Sequence, residues 1–289
     1  MTTFDELAAL ATMIESGELD VAAYDLGAGT GDPVTYLHGF PSSSLDILPV
    51  SDLLEPRARV LAVDFPGFGA SEKPSGHPYS IHAAADAVEA MWAEFGVTSS
   101  VLWAHDYGTS VCQELIARHL ENSLVVGITA VVWHNGGVYP DLHRPTVGQK
   151  LLLDPEHGAD FAATIDEAAF GAGIRPTFGT RRPITDQELH EMWCSMRHDE
   201  GTRIANQLLH YIEDRRRYGA RWRTALEDSG LPMWFVWGDL DPVSGAHMIE
   251  RVEERLDDAT IVRLPDVGHW PTLEAPEECA DAVLAALDA

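Results

Sequence analysis

The chain has 289 residues, 45% of them hydrophobic and 22% charged, which at roughly 150 residues per domain suits one large domain or two smaller ones. Its 46 acidic residues against 19 basic ones give a formal net charge of −27. That charge excludes an electrostatic footprint for nucleic acid or an anionic membrane surface and points to a small neutral organic substrate.

The N-terminus, MTTFDELAALATMIESGELD, carries acids early and has no basic region before an apolar stretch, unlike a signal peptide. Phe4, Leu7, Leu10 and Ile14 fall at helical spacing and predict a short amphipathic helix. A series of short apolar runs then follows, each ending in a glycine-bearing turn. Val34-Thr35-Tyr36-Leu37 runs into His38-Gly39-Phe40-Pro41, and Val60-Leu61-Ala62-Val63 into Asp64-Phe65-Pro66-Gly67. Val101-Leu102-Trp103-Ala104 runs into His105-Asp106-Tyr107-Gly108, and residues 125–132 into His134-Asn135-Gly136-Gly137. Residues 233–237 run into Gly238-Asp239-Leu240-Asp241, and residues 261–264 lead to Val267-Gly268-His269. Runs without polar alternation suit strands buried on both faces of a parallel sheet. Helical stretches at 80–95 and 111–119 lie between them, so the expected fold is α/β with a mostly parallel, doubly wound sheet.

Residues 138–227 break this rhythm and read as a helical cap, with helices at 186–197 and 201–217. The expected organisation is core at 1–137, cap at 138–227 and core again at 228–289. A cap inserted there lies over the carboxyl ends of the strands, where open α/β sheets bind ligands. The apolar run at 124–133 is about half a membrane span. Cys112, Cys194 and Cys279 have no metal spacing and fit a reduced, cytoplasmic protein. The histidines form no metal-binding pattern, and Gly171-Ala172-Gly173 follows no predicted strand, so neither a metal nor another cofactor is expected. The composition leaves a homodimer open.

The strongest chemical signal is Ala104-His105-Asp106-Tyr107-Gly108. Small residues flank a reactive one between a strand and a helix, the spacing of a nucleophile elbow. The alternative is that Asp106 only caps the helix. An elbow needs an acid and then a histidine further along the chain. Asp241 and His269 follow predicted strands in that order. Asp239 competes with Asp241, which is preferred because it precedes Pro242. A carboxylate displaces a leaving group from saturated carbon and forms an alkyl-enzyme ester. His269 then activates a water that attacks the Asp106 carbonyl carbon, and Asp241 orients the imidazole. The N–H groups of Phe40 and Tyr107 are placed to receive the oxyanion. His38 braces the first loop. Arg215-Arg216-Arg217, beside Glu213 and Asp214, reads as a solvated helix face.

The motifs HGFP, DFPGFGASEKP, AHDYG, GDLDP and VGHWP occur in order. Together they resemble the α/β-hydrolases with an aspartate nucleophile, the group of epoxide hydrolases and haloalkane dehalogenases. The likeness covers about 32–133 and 231 to the C-terminus. Through Asn135-Gly136-Gly137-Val138-Tyr139-Pro140, Leu142-His143-Arg144-Pro145 and Tyr211-Ile212-Glu213-Asp214-Arg215-Arg216 the chain is also similar to the mesoderm-specific transcript branch. The resemblance implies an α/β-hydrolase fold and hydrolysis through an ester on Asp106, foremost of an epoxide to a vicinal diol. Epoxide hydrolases use cap tyrosines as ring-opening acids. Tyr211 stands where one is expected, and Tyr139, Tyr218 and His134 are candidates for the other. The alternative is a haloalkane dehalogenase with an unusual halide site, since Tyr107 and Phe40 replace its N–H donors and leave Trp133 and Trp193 as substitutes. A further alternative is a catalytically silent binding protein.

Overall fold

The computed structural model describes residues 2–27, 33–54 and 57–289; Asp32, where the resemblance begins, lies outside them. Eight strands form a single sheet: β1 Thr12–Ser16, β2 Leu19–Leu26, β3 Pro33–Leu37, β4 Arg59–Val63, β5 Ser99–Ala104, β6 Gly127–Trp133, β7 Met233–Gly238 and β8 Thr260–Leu264. Their order is β1-β2-β4-β3-β5-β6-β7-β8. The β1–β2 and β2–β4 pairs are antiparallel and all the others parallel.

Successive side chains on a strand point to opposite faces. On β5, Leu102 and Ala104 enter one core cluster, and Val101 and Trp103 enter the other. Helices cover both faces, so both sets of side chains must be apolar, which explains the uninterrupted run. All the parallel strands end on one side, and the loops that leave β5, β7 and β8 hold Asp106, Asp241 and His269.

The N-terminal expectation is corrected. The helix covers only Phe4–Ala8, and Leu10 is 64% exposed. Ile14 instead points into the core from β1, which turns at Gly17 (φ 63°) into β2. The i, i+3 spacing is real, but pairing along β2 adds long-range hydrogen bonds that a two-turn helix lacks.

Between β6 and β7 the described residues form helices and no strand. The helix Asp186–Arg197 begins with a capping box in which Thr185 and Glu188 satisfy each other's backbone N–H. The expected helix at 201–217 is broken. Asp199 and Glu200 have φ of 46° and 59° within the turn His198–Ile204, and a new helix, Tyr211–Asp228, starts after His210. This last helix packs on the core helix Tyr107–Leu120. The break therefore sets Tyr211 and Arg215 against the elbow. Among the described residues no helix is long and apolar enough to cross a membrane.

Candidate active site

β5 ends at Ala104 and the next helix starts at Tyr107, so the chain reverses within two residues. Asp106 adopts φ 42° and ψ −104°, a conformation that costs an L-residue free energy and recurs at active sites. Its side chain makes no capping bond to the helix, so a purely capping Asp106 does not fit. Oδ2 instead accepts the Phe40 N–H at 3.0 Å. The backbone is held by Asp106 N–H to Asn135 O at 2.9 Å and by Thr109 Oγ1 to Asp106 O at 2.6 Å. Gly108 passes so close to β3 that a Cβ there would lie 2.0 Å from Leu37 O. Gly108→Ala is therefore expected to lose about 3 kcal/mol or more, because a backbone carbonyl cannot step aside. Urea unfolding measures this, and a loss below about 0.5 kcal/mol would contradict the tight turn.

Asp241 follows β7 and His269 follows β8. His269 Nδ1 donates to Asp241 Oδ2 at 2.8 Å, with both side chains buried. Asp241 also accepts the Ser244 hydroxyl at 2.7 Å, the Val243 N–H at 2.7 Å and Asn135 Nδ2 at 3.0 Å. Burial alone would raise its pKa, but the imidazolium and these donors outweigh burial and hold the carboxyl well below its usual range. Burial likewise opposes charge on His269. The carboxylates of Asp241, Asp106 and Glu274 prevail and lift the imidazole to about 9. The resting pair is an imidazolium and a carboxylate. Asp239 is turned away, pairing with Arg263 at 3.0 Å.

The remaining expected residues divide. His38 is buried between Gly39 O (Nδ1, 3.0 Å) and the Phe65 N–H (Nε2, 3.0 Å), and it stacks on Phe65. It links the loop after β3 to the loop after β4. Tyr107 opens the helix behind the nucleophile, and its ring meets that of Tyr211 at 4.9 Å. Tyr211 is fully buried, lies under the Arg215 guanidinium at 4.5 Å and feels the Asp106 charge.

Two candidate acids are corrected. His134 is sealed in the core, with Nε2 taking the Trp103 N–H at 2.5 Å and Nδ1 on Val236 O at 3.0 Å. Tyr139 turns its hydroxyl to Glu227 at 3.2 Å. Tyr218 packs against His82 and Trp222. Trp133 stacks on Phe235 and Trp193 packs at a tilt against Phe170, and neither lines the cavity described next. Arg215 is corrected too. It is 2% exposed, whereas Arg216 and Arg217 face solvent, because the helix places it one turn beyond Tyr211 on the core side.

A cavity of about 140 Å³ opens over Asp106 and His269, of the order that holds a benzene-sized molecule. Its walls are Phe40 and Trp270 from the core and Leu152, Phe161, Ile174 and Met196 from the cap. Trp270 donates its indole N–H to Thr177 Oγ1 at 2.8 Å, so it offers the cavity only an apolar surface.

Two supporting residues escaped sequence reasoning. The Asn135 side chain accepts the Gly238 N–H at 2.7 Å and donates to Asp241, while its backbone carbonyl takes the Asp106 N–H, so one residue ties the elbow to the acid loop. Its place after an apolar strand, at the head of the Asn135-Gly136-Gly137 motif, was the signal. Glu274 takes the N–H groups of Gly268 at 3.0 Å and Gly179 at 2.7 Å, clamping the His269 loop to the cap. Nothing in its local sequence marks it.

A nucleophile position on a strand-to-helix elbow, with acid and histidine on later strand ends beneath a helical cap, defines an α/β-hydrolase. The chain belongs to the alpha/beta hydrolase family, whose model matches residues 36–282. It is 37% identical over 262 residues to "Putative hydrolase LipZ" of Mycobacterium tuberculosis, covering 90% of each chain. It is 37% identical over 258 residues to the human mesoderm-specific transcript homolog protein, covering 86% of this chain and 76% of that one. In fold it is similar to the haloalkane dehalogenase DbeA from Bradyrhizobium elkani USDA94, with a TM-score of 0.78 at 20% identity over 96% of this chain and 97% of the other.

Proposed function

We propose that this hydrolase works through an alkyl ester on Asp106, formed by opening an epoxide and released as a vicinal diol. The observation that carries this is the state of the carboxylate. Oδ2 already sits on the Phe40 N–H, where the ester carbonyl and later the tetrahedral oxyanion need a donor. Oδ1 is the oxygen left to attack. Tyr107 N–H, first in its helix and without an intrahelical partner, is the second donor to the oxyanion.

The high pKa of His269 accords with this order of events. An imidazolium cannot act as a base. It is held charged in part by Asp106. Once Asp106 is esterified that negative charge is gone, burial regains weight, and the imidazole can release its proton. The base is switched on by the product of the first step. Serine at the elbow would need the reverse, a neutral histidine at the outset.

An epoxide is favoured over a haloalkane because the cavity presents no free indole N–H to a halide, while Tyr211, whose ring meets that of Tyr107 at 4.9 Å, offers a phenol behind the elbow. The small apolar cavity suits a neutral substrate.

The test is a single turnover of styrene oxide in water enriched in heavy oxygen, with enzyme in excess. The ester mechanism delivers heavy oxygen to Asp106 and leaves the first diol unlabelled. Heavy oxygen in the first diol would mean direct attack by water and would end the proposal. Halide release from haloalkanes with no turnover of epoxides would assign the dehalogenase chemistry instead.

A further inference from the structure

A second cavity, of about 470 Å³, opens at the seam between cap and core and shares no described wall residue with the cavity over Asp106. Its volume is that of a small-molecule site. The walls come from the helix Leu48–Leu54 and the turn before it, from the cap helix Asp186–Arg197, and from the C-terminal helices Pro271–Glu274 and Pro276–Leu287. Leu45, Leu48, Met192 and Leu273 give it apolar surface.

The charged part of the wall is mostly of one sign. Asp46, Asp52, Glu188, Glu191, Glu274 and Glu277 line it, and Arg182 is the basic side chain among its described wall residues. Arg182 is already committed, since it pairs with Glu188 and its Nη1 donates to Leu273 O at 3.0 Å. Glu191 takes the Phe4 N–H at 2.8 Å, and Glu274 takes the N–H groups of Gly179, Gly268 and Trp270. These donors carry partial charge and neutralise neither carboxylate. A cleft lined by one sign of charge concentrates ions of the other, and the net charge of −27 draws them from further out.

Asp46 is the independent mark of a missing partner. It is 1% exposed. Its Oδ1 accepts the Ser42 hydroxyl at 2.5 Å, whereas Oδ2 is buried with no hydrogen-bond partner. Buried polar atoms are nearly always hydrogen-bonded, so the exception needs a reason. Burial pushes this carboxyl up to about 7, and the charges of Asp64 and Asp106 add to that against the Ser42 hydrogen bond and the pull of His269. A positive group in the cavity supplies the charge that the fold leaves out. A metal ion does not fit this need, because among the described residues no group of three carboxylate, histidine or cysteine side chains converges to hold one. Apolar walls beside carboxylates suit an ammonium group carried on an apolar body.

We propose that the seam cavity binds a small organic ammonium ion, with its charge toward Asp46 and its apolar body on Leu48 and Met192. The site lies behind the loop of His269, since Glu274 on its wall holds Gly268 and Trp270 on either side of that histidine. It is separate from the cavity that takes the substrate, so it stands whether or not the substrate is an epoxide.

The test titrates phenylethylammonium, with phenylethanol as its uncharged counterpart, into the full chain carrying isotope-labelled methionine methyl groups. Met192 lines the seam cavity and Met196 the substrate cavity. Their NMR signals, assigned through Met192→Leu and Met196→Leu, therefore tell the two sites apart. The Met192 signal is expected to shift and saturate with the ammonium, and the alcohol to bind about tenfold more weakly or worse. Asp46→Asn keeps an oxygen for the Ser42 hydroxyl and is expected to weaken ammonium binding about tenfold. Leu48→Trp, at a half-buried position, fills the cavity with its charges intact and is expected to abolish the Met192 shift. The proposal is overturned by a shift that saturates at Met196 alone, by no saturable shift, by an alcohol that binds as tightly as the ammonium, or by an Asp46→Asn variant that binds as well as the parent. If Asp46→Asn does not fold, Leu48→Trp decides in its place, and an undiminished Met192 shift there overturns the site.

Discussion

Replacing His269 with glutamine is expected to stop the reaction after its first chemical step. In the proposed mechanism Asp106 needs no base to attack, because the nucleophile is a carboxylate rather than a hydroxyl and its Oδ2 is already held by Phe40. Hydrolysis of the ester does need one. Glutamine cannot accept the water's proton, so turnover of an epoxide is expected to fall about 10³-fold or more. The peptide bearing Asp106 gains the mass of the intact substrate, and the gain is stoichiometric with enzyme. Mass spectrometry of a proteolytic digest reads both quantities. Adduct on another residue, or no adduct with any epoxide or haloalkane that the wild type turns over, would sink the ester mechanism.

Asp241→Asn is expected to have the other large effect, about 10⁴-fold on turnover. Asparagine preserves the volume but removes the charge that keeps His269 oriented and protonated on Nδ1. The sign of the accompanying pKa change follows from the balance at His269. Burial pulls the imidazole down, and Asp241 is the foremost group pushing it up to about 9. Without Asp241 burial prevails, and the ring is expected to titrate below its ordinary 6.5. Proton NMR of the His269 ring across the pH range checks this directly. A ring that still titrates near 9 in the variant would show that some other carboxylate holds it. The charge loss and the turnover loss are linked, because a neutral resting imidazole can adopt the tautomer in which the nitrogen facing the water is already protonated.

The elbow and the triad were legible in the sequence for a local reason. Asp106 and Asp241 follow within three residues of β5 and β7, strands buried on both faces, so a few adjacent residues announce both the strand and its end; His269 follows the half-exposed β8 five residues on. Asp106 stands out because small residues must flank it, and the 2.0 Å approach of Leu37 O to a Cβ on Gly108 is the physical form of that requirement. The choice of Asp241 over Asp239 leaned on one proline, and in the structure Asp241 bonds His269 while Asp239 pairs with Arg263.

The cap was read less well. Its helices carry apolar and charged residues whose periodicity says which way they face only if their boundaries are known. The break after His210 moved the start of the last helix, and that turned Arg215 inward from a run that looked solvated. Tyr139 and His134 sit at plausible sequence positions, but their hydrogen bonds to Glu227, Trp103 and Val236 commit them to the scaffold.

By itself, then, the sequence determined the sheet and the placing of Asp106, Asp241 and His269 after its strands, because each depends on short stretches and on chain order. Tertiary structure alone decided that Arg215 reaches the Asp106 carbonyl from the cap, that carboxylates gather around the His269 imidazole and push it up, and that Arg215 is buried with no ion pair among the described residues. Those depend on distances between residues roughly a hundred positions apart, as between Ser110 and Arg215, and on how far water is excluded from them. Packing sets both, and no local pattern encodes them.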